Sequence, residues 1–424
     1  MAPTFLLHYL IGFKNYGCEA ILRGTVSILR SSFPGCRILY ATLSPESDRK
    51  ALSDPSIEIV DARTPRHHPY RYMNYGLRKI GLGNSQFELP LSEDILRASD
   101  VADVLVSIGG DLFTIPRCAS PEALAERTYT HPSLTLANKM LSEGKDFVLW
   151  GVTSGPFEKW PDAKRKLLEL FSSATLITAR EEHTVSYLAS QGISDNVRLF
   201  ADPAFAMDAG KVKTDFPQTS RSILGVNLSP LSLKSCFSHP DLSSFASQHA
   251  KILRDFQIST GCHIVLIPHV HDHINNDDVS YLKSVWRNLA KNNADSVTCV
   301  DWGMGAADTK AVIGRCDLLF SARMHCAVAG CSIATPTVFF GYSSKAAGMC
   351  QFVYGSKTQH VDVSSDPSLI LKALIYSWKN RHAIKVRLNA KSQFLKSNSL
   401  SAGTCLKSIL SSSSSTIKGV SCLT

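Results

Sequence analysis

Two residues of complementary chemistry stand side by side in Phe320-Ser-Ala-Arg323-Met-His325-Cys-Ala-Val-Ala-Gly330, where a short apolar run gives way to an Ala-rich segment. The pattern predicts a buried strand that ends as a tightly packed helix begins. The unpaired N–H groups of a helix start favour an anion. A permanent cation, Arg323, and a titratable imidazole, His325, at that point can hold an anion while a proton moves. A lone histidine in an apolar helix is ordinarily a core residue, but the neighbouring arginine and the strand-end position favour chemistry here. Downstream, Gly341-Tyr-Ser-Ser-Lys345 follows the apolar run 337–340 and places a second cation, Lys345, after another strand. Earlier, Thr178-Ala-Arg180-Glu-Glu-His183 sets Arg180 directly after a strand, where its planar fork suits a carboxylate or phosphate. Glu181 and Glu182 fall in the first turn of the following helix and are explained by the helix dipole.

A second group of candidates is polar and uncharged or acidic. Gly12-Phe-Lys-Asn15-Tyr-Gly17-Cys-Glu19 follows the first strand and opens a helix, so Asn15 and Glu19 can face a ligand. It is not a G-x-G-x-x-G, and a dinucleotide site has little support. Ser107-Ile-Gly109-Gly110-Asp111 and Thr153-Ser-Gly-Pro156 also lie after apolar runs, at the strand ends where open α/β sheets bind ligands. Pro268-His269-Val-His271-Asp-His273 invites a metal reading, but no further ligand cluster accompanies it. His269 is better read as a polar residue lining the cleft, and no metal is expected.

These residues need a scaffold that brings strand ends together. Apolar runs at 5–11, 37–41, 104–108, 147–152, 176–179, 197–200, 223–228, 264–267, 318–320 and 337–340 alternate with helical segments such as 19–30, 182–191, 242–259 and 277–291. That alternation predicts βαβ units and parallel sheets. The fold class is α/β, two Rossmann-like doubly wound domains facing a cleft, glycosyltransferase-B-like in plan. The domains expected are 1–208, a polar linker at 209–222, 223–378, and a basic, Ser-rich tail at 379–424, disordered over 397–424. Residues 64–85 read as an irregular surface loop.

Composition narrows the class further. Of 424 residues, 44% are hydrophobic and 19% charged, which excludes disorder, collagen-like structure and a disulfide miniprotein. Twelve scattered cysteines without a C-x-x-C pair suit free thiols in a reducing compartment. The opening residues lack a basic region and read as a strand, not a signal peptide, and no run of about 18 apolar residues marks a membrane span. A cytoplasmic location is the expectation, membrane-peripheral in one reading. The whole net charge of +9 resides in 367–424, which holds nine basic and no acidic residues, so the catalytic body is neutral. A peripheral membrane contact through that tail is one reading, and a solvated helix the plainer one.

Taken in order, Asn15-Tyr-Gly-Cys-Glu19, Gly109-Gly-Asp111, Ala179-Arg180-Glu181, Asp202-Pro203, Ile267-Pro-His269, Arg323-Met-His325 and Gly341-Tyr-Ser-Ser-Lys345 resemble the polysaccharide pyruvyl transferase family over about residues 5–355. The resemblance implies transfer of a pyruvyl group from phosphoenolpyruvate to two hydroxyls of a sugar or lipid-linked glycan, giving a cyclic ketal and phosphate. It implies phosphoenolpyruvate as donor substrate, with no further cofactor and no nucleic acid partner. Arg180, Arg323 and Lys345 would bind the donor, His325 would supply the proton, and Asn15, Glu19, Asp111 and His269 would lie on the acceptor side. The alternatives are a nucleotide-sugar glycosyltransferase of the same fold and a non-catalytic carbohydrate-binding protein. Against the first, the chain contains no glutamate after Glu182, whereas glycosyltransferases of this plan commonly use one in the C-terminal half.

Overall fold

The computed structural model describes residues 2–52, 54–64, 68–80, 87, 90–110, 132–212, 216–271, 277–291, 294–342 and 344–420. The apolar runs form two parallel sheets. The first contains β1 (Thr4–Leu10), β2 (Arg37–Thr42), β3 (Ile57–Asp61), β4 (Val104–Ser107), β5 (Asp146–Val152), β6 (Leu176–Ala179) and β7 (Val197–Leu199) in the order β3-β2-β1-β4-β5-β6-β7. The second contains β8 (Ile223–Asn227), β9 (His263–Leu266), β10 (Val297–Cys299), β11 (Leu318–Ser321), β12 (Thr337–Gly341) and β13 (His360–Asp362) in the order β10-β9-β8-β11-β12-β13. Strand order reverses between β1 and β4 in one sheet and between β8 and β11 in the other, the switch points at which doubly wound sheets bind ligands.

Burial on both faces explains why the central strands read as continuous apolar runs. In β9 and the residue after it, Ile264 and Leu266 join one core with Phe320 and Phe340, while Val265 and Ile267 join another with Leu319 and Val312. Successive side chains thus serve opposite layers of helices. In the first sheet Leu6, Leu105, Phe147 and Leu149 pack with Phe171 and Leu188. Cys326, at the core end of the helix Met324–Ser332, is fully buried, and burial pushes its thiol up to about 12, so it is inert packing.

The chain's own contacts divide it into two compact units. Unit 1 comprises 1–12, 25–203 and 398–424 and carries the first sheet. Unit 2 comprises 13–24 and 204–397 and carries the second. Residues 13–24, which a linear reading leaves with the first half, therefore group with the second.

Two segments differ from the sequence expectation. Within 64–85, the described part contains a helix, Pro69–Lys79, whose Asn74 is buried and exchanges two hydrogen bonds of 2.8 Å with the backbone of Phe87. The segment read as a partly disordered tail forms the helix Arg381–Val420. Its charges hide a helical stripe, Ile384, Leu388, Leu395, Ala402 and Leu406, all buried. No helix among the described residues is long and apolar enough to cross a membrane.

Candidate active site in the second unit

Strands β8 and β11 end at the switch point in Asn227 and Ser321, both buried. The Asn227 amide donates to the Ile267 carbonyl at 2.9 Å and to Asp278 Oδ2 at 3.3 Å, and its Oδ1 accepts the Arg323 N–H at 3.0 Å. Asp278, the first residue of the helix Asp278–Ala290, has no solvent exposure. It accepts from Arg323 Nη2 at 2.8 Å and Nε at 3.2 Å, and from the backbone N–H groups of His269 at 3.2 Å and Val270 at 3.1 Å. One carboxylate therefore orients the Arg323 fork and the loop that carries His269.

Two residues beyond Arg323, His325 lies half-buried in the first turn of Met324–Ser332. Arg323 caps that helix with extended backbone and no side-chain hydrogen bond to it. The motif 15–19 packs against this junction. A Cβ at Gly17 would sit 2.7 Å from His325 Nδ1, and the Gly17 N–H donates to Asn15 Oδ1 at 2.9 Å. Close approach, and not backbone flexibility, is what glycine supplies here. Gly17→Ala is expected to displace the His325 ring and lower turnover roughly tenfold or more, because a misplacement of about 1 Å can cost about 10²-fold. An unchanged kcat in that variant would refute the close-approach argument.

The same motif holds the histidine loop. Tyr16 donates its N–H to the His269 carbonyl at 3.0 Å, His271 donates its N–H to the Lys14 carbonyl at 2.9 Å, and Asn15 forms an antiparallel bridge with Val270. His269 is 3% exposed, and neither ring nitrogen has a hydrogen-bond partner. Burial first, then the neighbouring His325 and Arg323, holds its pKa well below the ordinary 6.5. The ring is thus neutral at neutral pH, able to donate at one nitrogen and accept at the other. As pH falls below 6.5 the unfolded chain binds a proton at this position that the folded chain refuses, so stability falls with pH by about 1.4 kcal/mol per unit from this ring. Urea unfolding at pH 6 and 5 should show His269→Gln losing less stability than wild type, and parallel losses would contradict the assignment. His271 pairs with Asp277 at 2.9 Å instead of pointing to a metal, and among the described residues no group of three or more His, Cys, Asp or Glu is arranged to hold one. His273 lies outside the described residues.

The sequence of the chain, compared with known families, matches the model for polysaccharide pyruvyl transferase over residues 15–344, beginning at Asn15 and including Arg323 and His325. The chain belongs to the polysaccharide pyruvyl transferase family. No curated protein matches it significantly. Solved structures similar to this family member include a UDP-GlcNAc 2-epimerase from Neisseria meningitidis bound to UDP-GlcNAc, 12% identical, covering 96% of this chain and 99% of that one with a TM-score of 0.56. UGT73P12 from Glycyrrhiza uralensis is 9% identical, with 99% and 98% covered and a TM-score of 0.57. A glycosyltransferase from Rickettsia africae is 12% identical, with 96% and 99% covered and a TM-score of 0.53. At these identities the likeness concerns the fold, which is glycosyltransferase-B-like.

The remaining candidates of this pyruvyl transferase family member fall elsewhere. Arg180, expected to present an open fork, is fully buried in unit 1, where Nη1 donates to Asp202 Oδ2 at 2.9 Å and Nε to Thr153 Oγ1 at 2.9 Å. Gly110 leaves the room that its guanidinium fills, which accounts for a glycine of the 107–111 motif. Glu19, expected on the acceptor side, is 2% exposed and accepts the Ala306 N–H at 2.8 Å and Arg23 Nε at 2.7 Å. It caps the helix Ala306–Ile313, whose own N-cap residue is glycine. Lys345 is half-buried in the first turn of Ser344–Tyr354. Asp111 lies outside the described residues. Asn227, Asp278 and Tyr16 escaped the sequence reading, Asn227 as the end of an apolar run and Asp278 as one more helix-start acid beside the N-cap Asp277.

Proposed function

We propose that the protein transfers the pyruvyl group of phosphoenolpyruvate to two hydroxyls of a sugar, forming a cyclic ketal and releasing phosphate. The observation that carries this reading is the Arg323 fork, fixed by Asp278, two residues from a His325 ring held against Gly17. Arg323, with Lys345 following β12, would neutralise donor carboxylate and phosphate oxygens. His325 would deliver a proton to C3, leaving an oxocarbenium-like C2 for one acceptor hydroxyl to attack. The C2–O bond to phosphate then breaks and the second hydroxyl closes the ketal. Of the two hydroxyl protons, one replaces the proton placed on C3 and the other leaves with phosphate, so the balance closes without oxidant or reductant. His269, neutral and buried in the same cluster, is the acceptor-side group that can exchange hydrogen bonds without adding charge.

The test is phosphate release from phosphoenolpyruvate with β-galactosides and N-acetylmannosamine-containing sugars as acceptors. Release that depends on the sugar supports the reading. Sugar transfer from a nucleotide donor, with no phosphate from phosphoenolpyruvate, would replace it by the glycosyltransferase alternative.

A further inference from the structure

We propose that Trp302 is the stacking platform for the acceptor sugar, an inference that rests on the pyruvyl-transfer reading and names where its second substrate binds. Residue 302 lies in the loop between β10 and the helix Ala306–Ile313, at the carboxyl end of the second sheet and so on the side of Arg323 and His325. Its indole is parallel to the Tyr16 ring, 4.1 Å between centroids and 4° between planes, and the His271 ring stands 5.4 Å away at 53°. Gly303 and Gly305, at φ of 112° and 83°, turn the backbone in a way side chains resist. The loop is tied at both ends to one motif, by the Gly303 N–H to Tyr16 Oη at 2.9 Å and the Ala306 N–H to Glu19 Oε2 at 2.8 Å.

A tryptophan fixed this firmly is nevertheless only half-buried. Rigid, partly open aromatic surface binds at low entropic cost. The pyranose ring offers it a face of C–H groups and keeps its hydroxyls at the rim, free to react. Tyr16 meets His269 edge-on at 5.7 Å, and Gly17 touches His325. Platform, neutral histidine and proton donor therefore hang on residues 15–19, which gives that motif a single physical purpose. An uncharged platform also keeps the acceptor from competing with the anionic donor for Arg323.

The experiment uses the full chain without donor, titrated with methyl β-D-galactopyranoside and N-acetyl-D-mannosamine while tryptophan emission is recorded. A saturable change is expected with at least one sugar in wild type and none in Trp302→Phe. In the phosphate assay, Trp302→Ala should raise the sugar KM at least tenfold while the phosphoenolpyruvate KM stays within twofold. The platform is refuted if neither sugar alters emission, if the change survives in Trp302→Phe, if Trp302→Ala keeps the wild-type sugar KM, or if uridine diphosphate produces the change at lower concentration than either sugar. Trp302-dependent sugar binding without phosphate release would sink the pyruvyl-transfer reading and leave the platform standing.

Discussion

His325→Ala lowers phosphate release from phosphoenolpyruvate by about 10²–10⁴-fold, the range for loss of a positioned acid or base. On the proposed pyruvyl transfer the effect should fall on kcat, since the proton would be needed only as C3 is protonated, whereas Arg323 would still hold the donor. The ring is half-buried, so the melting temperature of the variant is the control for folding. Arg323→Ala is the less clean experiment, because it leaves Asp278 buried without its fork. His325→Gln separates the roles, since it keeps a hydrogen-bonding side chain of similar reach but cannot deliver a proton. Loss in both variants with an unchanged melting temperature supports proton transfer, and full activity in His325→Gln would reduce the residue to a hydrogen-bond donor.

The strand-to-helix junction that carries Arg323 and His325 is legible in the sequence because both features that mark it are local, an apolar run and an abrupt polar break. The strands missed were β3, β10 and β13, three of the four sheet edges. An edge strand is buried on fewer sides, so Ile-Glu-Ile-Val-Asp in β3 alternates instead of running apolar, and β10 and β13 are only three residues long. The buried partners of Glu19 and Arg180 are illegible for the opposite reason. Residue type and position after a strand do not reveal whether a charge is already matched, and the partners, the Ala306 N–H and Asp202, lie 287 and 22 residues away. Long-range pairing likewise hides Trp302, whose stacking partner Tyr16 lies about two thirds of the chain away.

Asp202→Ala is expected to destabilise unit 1 by about 3–5 kcal/mol, the penalty for removing one partner of a buried ion pair. The side chains of Arg180 and Asp202 are 1% and 0% exposed. The neighbouring backbone amplifies the loss, because Ser399 Oγ donates to the Asp202 carbonyl at 3.3 Å and Asn398 Oδ1 accepts the Ala201 N–H at 2.7 Å, tying the last helix to this turn. Urea unfolding followed by circular dichroism should show the earlier midpoint, and in a chain of two compact units the transition affected is that of the first. The double variant Arg180→Met/Asp202→Leu removes both charges and should recover most of the loss, since apolar replacement of a buried pair is often neutral or stabilising. That variant also decides what Arg180 is for. If it is stable and releases phosphate at the wild-type rate, the arginine serves only to hold the strand end in place. If it is stable but its phosphoenolpyruvate KM rises by tenfold or more, the guanidinium must leave Asp202 to meet the donor.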